Sequence, residues 1–313
     1  MAFDSSVREV DAFGPEDAEV DAAFDAPAGL APPSRDTFDV DVAAIEGLIL
    51  PAHEELPLLK IAVYAQPGFG KTWLAATFPS VLIVDCNEQG SKFIPDEGPR
   101  KGAKVFHATS LRQIVTLYWY LRMGNHPYKS VAIDTVTSLA DMVKGYILHG
   151  ERDPDIFSDG VKRATLGTWT DLSDIMGMVL MWYRDLPMNV IYLVNERKQT
   201  VLTNAAGFEE DDVVENDSSV PSIFPDLTPA VRSRLYRCVD IMARMRLTKE
   251  VVQRNNQSRE VLVRRLYPKS NPDFQAKDRS DRLPSVMVNP TFEKIDKALR
   301  GVKAEGGSEN AAS

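Results

Sequence analysis

One stretch, AQPGFGKT from Ala65 to Thr72, limits what this chain can fold into more than any other. It joins a continuous apolar run, LLKIAVYA (58–65), to a segment with helical spacing from Lys71 to Phe78. An apolar run without alternation is the pattern of a strand buried on both faces of a parallel sheet. Glycines between a strand and a helix let backbone N–H groups curl around phosphates, and the helix end adds a favourable dipole. The lysine then reaches the β- and γ-phosphates and the hydroxyl ligates Mg²⁺. On this reading Gln66, Pro67, Gly68, Phe69, Gly70, Lys71, Thr72 and Trp73 surround ATP, with Lys71 as the cation and Thr72 as a magnesium ligand. The strict spacing of such loops places glycine where Ala65 stands. Alanine fits there only with a negative φ.

Downstream the chain alternates. VLIVDC (81–86), AKVFHA (103–108), SVAIDT (130–135) and MNVIYLVN (188–195) read as strands. LRQIVTLYWYLRM (111–123), VTSLADMVKGYIL (136–148) and TWTDLSDIMGMVLMWYRDL (168–186) read as helices, and CVDIMARMRLT (238–248) with REVLVRRLYP (259–268) as a closing pair of strands. The class expected is α/β, a mainly parallel central sheet flanked by helices.

Composition narrows the setting. Cys86 and Cys238 are the two cysteines among 313 residues, and neither lies in a CxxC, so a disulfide scaffold is excluded and a reducing compartment expected. The apolar stretch Ile175–Tyr183 is too short for a bilayer, and the acidic N-terminus lacks an apolar signal core. Cytoplasmic location and no membrane contact follow as expectations. The net charge of −9 divides unevenly: residues 1–50 hold twelve acids and two bases, leaving 33 acids and 34 bases in the remainder. Four parts are expected: a disordered acidic arm (1–36), a docking segment or linker (37–57), the ATPase domain (58–300) and a flexible tail (301–313).

Hydrolysis needs carboxylates at the ends of neighbouring strands. Asp134, closing SVAIDT, is the candidate to position Mg²⁺, with helix capping as its alternative. Glu88, beyond Asp85 in VLIVDCNEQG, is the candidate base for the attacking water, a solvated loop carboxylate being the alternative. Asn195, ending VIYLVN, is placed to sense the γ-phosphate. The four histidines lack metal-ligand spacing, and Trp169 and Trp182 read as core.

The order of P-loop, strand-terminal acid, VAIDT and VIYLVNE continues through PDLTPAVRSRLYRCVDIMARM to AKDR, LP and NP. Over roughly 58–298 this resembles phage-encoded RecA-like P-loop ATPases, especially the Sak-type proteins linked to single-strand annealing and recombination. The resemblance implies a RecA-like P-loop NTPase core that assembles into a ring or filament, with ATP and Mg²⁺ as cofactors. Single-stranded DNA is the implied partner and a single-strand-binding protein a further candidate. It makes Lys71 and Thr72 the Walker A pair and Asp134 the Walker B acid. Glu88 matches the catalytic glutamate approximately, three residues after Asp85 rather than two. Lys277 and Arg279 match a pair that reaches a neighbour's γ-phosphate, a solvated charged turn being the alternative. DNA would meet loops near 150–167 and 197–233, through Arg152, Lys162, Arg163, Arg197, Lys198, Arg232 and Arg234. Glu209–Asp212, Glu215 and Asp217 make the second loop acidic at its centre. The alternative functions are a nucleotide-controlled switch or assembly ATPase without direct DNA binding, and a small-molecule kinase.

The arm generates a first prediction. Deleting residues 1–36 should leave the melting temperature unchanged by calorimetry, because a segment of this composition buries too little to support the fold. A fall of several degrees would show that the arm packs on the body.

Overall fold

Lys60–Ala65 forms strand β1, buried at every position after the first. The computed structural model of the protein describes residues 58–150, 162–198, 223–254 and 257–301. The arm, the docking segment, the tail beyond Gly301 and the centres of both expected DNA loops lie outside these residues.

After β1 come α1 (Lys71–Ala75), β2 (Val81–Asp85), β3 (Lys104–His107), α2 (Leu111–Met123) and β4 (Ser130–Asp134). Then follow α3 (Val136–His149), α4 (Leu166–Arg184), β5 (Asn189–Lys198), β6 (Ile223–Pro225) and α5 (Pro229–Cys238). The last elements are β7 (Ile241–Arg254), β8 (Gln257–Tyr267), β9 (Lys277–Asp278), β10 (Met287–Val288) and α6 (Phe292–Leu299). The main sheet runs β10-β8-β7-β1-β5-β4-β2-β3. From β7 to β3 all neighbours are parallel; β8, β9 and β10 join antiparallel at the β7 side, and β6 pairs antiparallel with β5.

The period of two along each strand divides the core. Ala62, Tyr64, Leu82, Val84, Val131, Ile133, Val190 and Tyr192 face the layer of α2 to α5. Ile61, Val63, Ile83, Ala132, Ile191 and Leu193 face Leu74 and Phe78 around α1 and Ile295 of α6. Buried tyrosines keep their hydroxyls satisfied: Tyr192 donates to the Leu180 carbonyl at 2.7 Å and Tyr183 to that of Ile114 at 2.8 Å. Ser110, Thr135 and Thr165 cap α2, α3 and α4 by accepting a backbone N–H three residues on.

Three differences from the sequence reading have physical causes. The helix after the loop stops at Ala75, where Thr77 and Phe78 close tighter turns onto Leu74 and Ala75 just before Pro79. The closing hairpin is longer than its apolar runs, since its outer part pairs polar residues such as Lys249 with Leu262 and Glu250 with Val261. Helix α5 buries only Val231, Leu235 and Cys238, too sparse a stripe to stand out among its arginines.

A mainly parallel sheet covered by helices, with the glycine loop leaving the C-terminal end of β1, is a P-loop fold. Its centre is β5. Replacing the fully buried Ile191 by alanine should cost about 2–5 kcal/mol in urea denaturation. A loss below about 1 kcal/mol would mean that this strand is not the packed centre.

Candidate functional site

Register brings the chemistry together. Ala65 lies opposite Asn195 and Asp85 opposite Asp134, so the ends of β1, β5, β4 and β2 share one edge of the sheet. Open α/β sheets bind ligands at this carboxyl edge. In the loop, Gly68 and Gly70 have φ of 80° and 97°, conformations that L side chains rarely adopt. Ala65 is the last residue of β1, so the expected first glycine is dispensable here. The Lys71 ammonium folds back over the loop and donates to the Ala65 carbonyl at 3.0 Å, the Gln66 carbonyl at 3.4 Å and Asn195 Oδ1 at 2.9 Å. Burial pushes Lys71 below the usual lysine range, against the opposing pull of Asp134, Glu88 and Glu196.

Thr72 Oγ1 donates to Asp134 Oδ2 at 2.6 Å. Asp134 does not cap the next helix; Thr135 does. Burial pushes the Asp134 carboxyl up to about 6, opposed by the Thr72 hydroxyl and Lys71. A hydroxyl and a carboxylate, both hard oxygen donors beside a lysine, fit a magnesium–nucleotide complex.

Glu88 is solvent-exposed yet held. Its Oε1 accepts from Ser138 Oγ at 2.6 Å, Thr135 Oγ1 at 3.0 Å and Asn195 Nδ2 at 3.1 Å. Partial burial raises its pKa, but these three donors and the Lys71 charge outweigh that and hold the carboxyl below the usual range. The extra residue between Asp85 and Glu88 is absorbed by a turn. Asp85 Oδ1 accepts the N–H groups of Glu88 and Gln89 at 2.9 and 3.0 Å, while Asn87 takes a φ of 72°. Ser91 Oγ fixes the other Asp85 oxygen at 2.5 Å. Asp85 therefore aims the loop that presents Glu88.

Several contacts were beyond sequence reasoning. Trp73 is flanked by two guanidiniums, Arg100 at 4.6 Å and Arg264 at 4.4 Å from its ring centroid. Under the site, Glu196 and Arg244 form a nearly fully buried bidentate ion pair at 2.7 and 3.1 Å. Removing one member would strand a charge at a cost of about 3–5 kcal/mol. Arg100, Arg244 and Arg264 carry no local motif, and only the tertiary fold brings them near the loop.

Lys277 and Arg279 converge, but on the C-terminal end of α5. Lys277 Nζ donates to the Tyr236 and Val239 carbonyls at 2.5 and 2.7 Å. Arg279 reaches the Arg237 carbonyl and Asp240, and its side chain is 55% exposed. The Arg279 backbone bonds to Asp240, and Asp240 to Lys60 at the start of β1. Arg279 thus lies about 17 Å along the strand from its own phosphate loop, and Lys277, level with Ala62, about 10 Å.

A cavity of about 1010 Å³ opens among α3, α4, α5 and the end of β5. Lys144 sits 4.7 Å over Trp169 and Arg232 4.1 Å over Phe224, and Arg197 joins them at the wall. Two expectations change here. Trp169 is 40% exposed and lines this cavity rather than the core, with the Lys144 ammonium over its ring. Arg234 is held by Asp174 at 2.6 Å and so is not a free phosphate-neutralising group. Lys162 and Arg163 are exposed, while Arg152 lies outside the described residues.

A protein-family model described as an AAA domain matches residues 58–280. The chain belongs to this AAA-domain family. A P-loop ATPase domain therefore occupies most of the chain. No curated protein sequence matches. Among solved structures, the crystal structure of the RadB recombinase is 11% identical, with 67% of this chain and 79% of that chain covered and a TM-score of 0.33. No described helix of this AAA domain is long and apolar enough to cross a membrane.

The geometry around Glu88 predicts a separation of binding from turnover. Glu88→Gln should keep nucleotide affinity within about two-fold while lowering hydrolysis about 100-fold or more. Equal turnover by the variant in a phosphate-release assay would remove Glu88 from the chemistry.

Proposed function

We propose that the chain is an Mg²⁺-dependent ATPase that assembles as a ring or filament and acts with single-stranded DNA in phage recombination or annealing. The observation that carries this reading is the chain of contacts Lys71–Asn195–Glu88, set beside the Thr72–Asp134 hydrogen bond. A cation for the phosphates, a polar relay and an exposed carboxylate sit on one sheet edge, as hydrolysis of a terminal phosphate requires.

Thr72 and Asp134 would hold magnesium, which when bound neutralises charge on the phosphates. Lys71 would exchange its loop carbonyls for phosphate oxygens. Glu88 would orient water and take its proton as the water oxygen bonds to the γ-phosphorus and the bond to the bridging oxygen breaks. Asn195 touches both Lys71 and Glu88, so a shift of the lysine onto a triphosphate would be felt at the base.

Oligomerisation is supported by the position of Arg279, too far along β1 to reach its own loop and exposed enough to enter a neighbour's. There it would act on charge that develops in the transition state, with Lys277 holding the end of α5 beneath it. For DNA, support comes from the cavity where Lys144 and Arg232 lie over Trp169 and Phe224, with Arg197, paired to Asp226 at 3.8 Å, at its wall. Cations supply phosphate contacts and aromatic faces stack on bases without sequence preference. The order of motifs through AKDR is the ground for the phage recombination assignment.

Three measurements test this reading. Lys71→Ala should abolish hydrolysis, and retained turnover would end the assignment of the loop. Single-stranded DNA should stimulate the wild-type ATPase, the effect weakening steeply with salt; no response at low salt would favour a nucleotide switch that does not engage DNA. Mixing Lys71→Ala with Arg279→Ala subunits should restore activity absent from either alone. Absence of rescue in assemblies shown to be mixed would rule out the trans geometry.

A further inference from the structure

The two arginines at Trp73 lack what other placed arginines of this protein have. Arg244 pairs with Glu196, Arg234 with Asp174 and Arg265 with Glu250. Among the described residues, neither Arg100 nor Arg264 forms an ion pair, and the Nε atom of each, like that of the paired Arg265, is buried without an acceptor. Stacking on an indole attracts a cation but accepts no N–H, so these donors stay unsatisfied. Both guanidinium carbons lie within 4.6 Å of one ring centroid, so two like charges sit at most about 9 Å apart and repel. Burial, then the charge of Arg100, lowers the pKa of Arg264. What such a pair lacks is an anion.

The place where one would sit adjoins it. The Arg264 side chain lies in the space that a Cβ on Gly70 would fill, so it rests directly against the glycine loop. That loop's N–H groups are the ones that cradle phosphates. Arg264 comes from β8, across the hairpin from Leu247, and Arg100 from the 3₁₀ turn Gly98–Arg100 after β2. Two separate segments thus deliver guanidiniums to Trp73, and one of them, Arg264, lies against the loop. Planar guanidiniums suit phosphate oxygens, which they bind through paired N–H groups.

We propose that Arg264 and Arg100, parked on Trp73, form a site in cis for phosphate oxygens of a bound nucleoside di- or triphosphate. This rests on reading the glycine loop as a nucleotide site and names ligands beyond Lys71 and Thr72. In the arrangement seen, Trp73 holds the guanidiniums aside. When phosphate enters the loop, Arg264 turns its donors onto it and the contact with the indole loosens. Because Arg264 belongs to the β7–β8 hairpin, occupancy of the loop becomes linked to the position of that hairpin.

The test uses the full-length protein and calorimetric titration with ADP, inorganic tripolyphosphate and adenosine. Arg264→Gln should weaken ADP and tripolyphosphate by about 10- to 100-fold, with Arg100→Gln weaker in the same direction and adenosine unchanged. Unaltered affinities for ADP and tripolyphosphate would overturn the proposal. So would a loss confined to adenosine, which would make Arg264 a base-stacking residue. Wild-type protein that binds neither ADP nor tripolyphosphate would sink the nucleotide reading and this site together; binding that is indifferent to Arg264 would sink this site alone. A second readout does not depend on the arginine variants folding. Tripolyphosphate should change the tryptophan emission of the wild type, and Trp73→Phe should abolish that change; emission that stays constant at saturation would overturn the release of Trp73.

Discussion

The Lys71 ammonium is the group on which the arrangement depends. A buried cation must be surrounded by oxygen acceptors, and Lys71 finds them in the carbonyls of its own loop and in Asn195 from another strand. Asn195 can serve only because β5 lies directly beside β1 in parallel register, with residue 195 opposite Ala65. The same amide passes its donor to Glu88. One side chain thus ties the phosphate loop to the carboxylate beyond β2, and a one-residue slip of β5 would turn Asn195 to the opposite face.

Support for this contact is nested. Asp85 spends both oxygens on the turn that presents Glu88. Thr135 caps α3 and also donates to Glu88, so the start of that helix and the aim of the carboxylate are fixed by one hydroxyl. Beneath, the Glu196–Arg244 pair joins β5 to β7 across β1. Because both charges are almost wholly buried, neither strand can shift without separating them, which makes the edge of the sheet rigid where the chemistry would occur.

The two ends of the sheet are chemically different. At the carboxyl edge are the loop, two buried acids and the arginines around Trp73; at the other, Lys277 and Arg279 close on α5 near the start of β1. A parallel sheet separates these ends by the full length of its strands. A residue at the far end could complete a site only by meeting the near end of another copy, as the proposed assembly requires.

The α/β class, the strand order along the chain and the turn between β1 and the first helix were readable because buried parallel strands and a glycine loop leave local patterns. Helix α5 was not, since three apolar anchors among arginines make no periodic signal. Sequence alone left Asp134 open between a metal ligand and a cap, and Glu88 between a base and a solvated carboxylate. The folded chain gives the helix cap to Thr135 and three donors to the exposed Glu88 carboxylate, contacts that no local pattern announces. The stacking of Arg100 and Arg264 on Trp73 was likewise invisible, because it joins segments far apart in the chain. Local chemistry is written in neighbouring residues. Contacts between distant side chains depend on register and burial, which exist only once the sheet has formed.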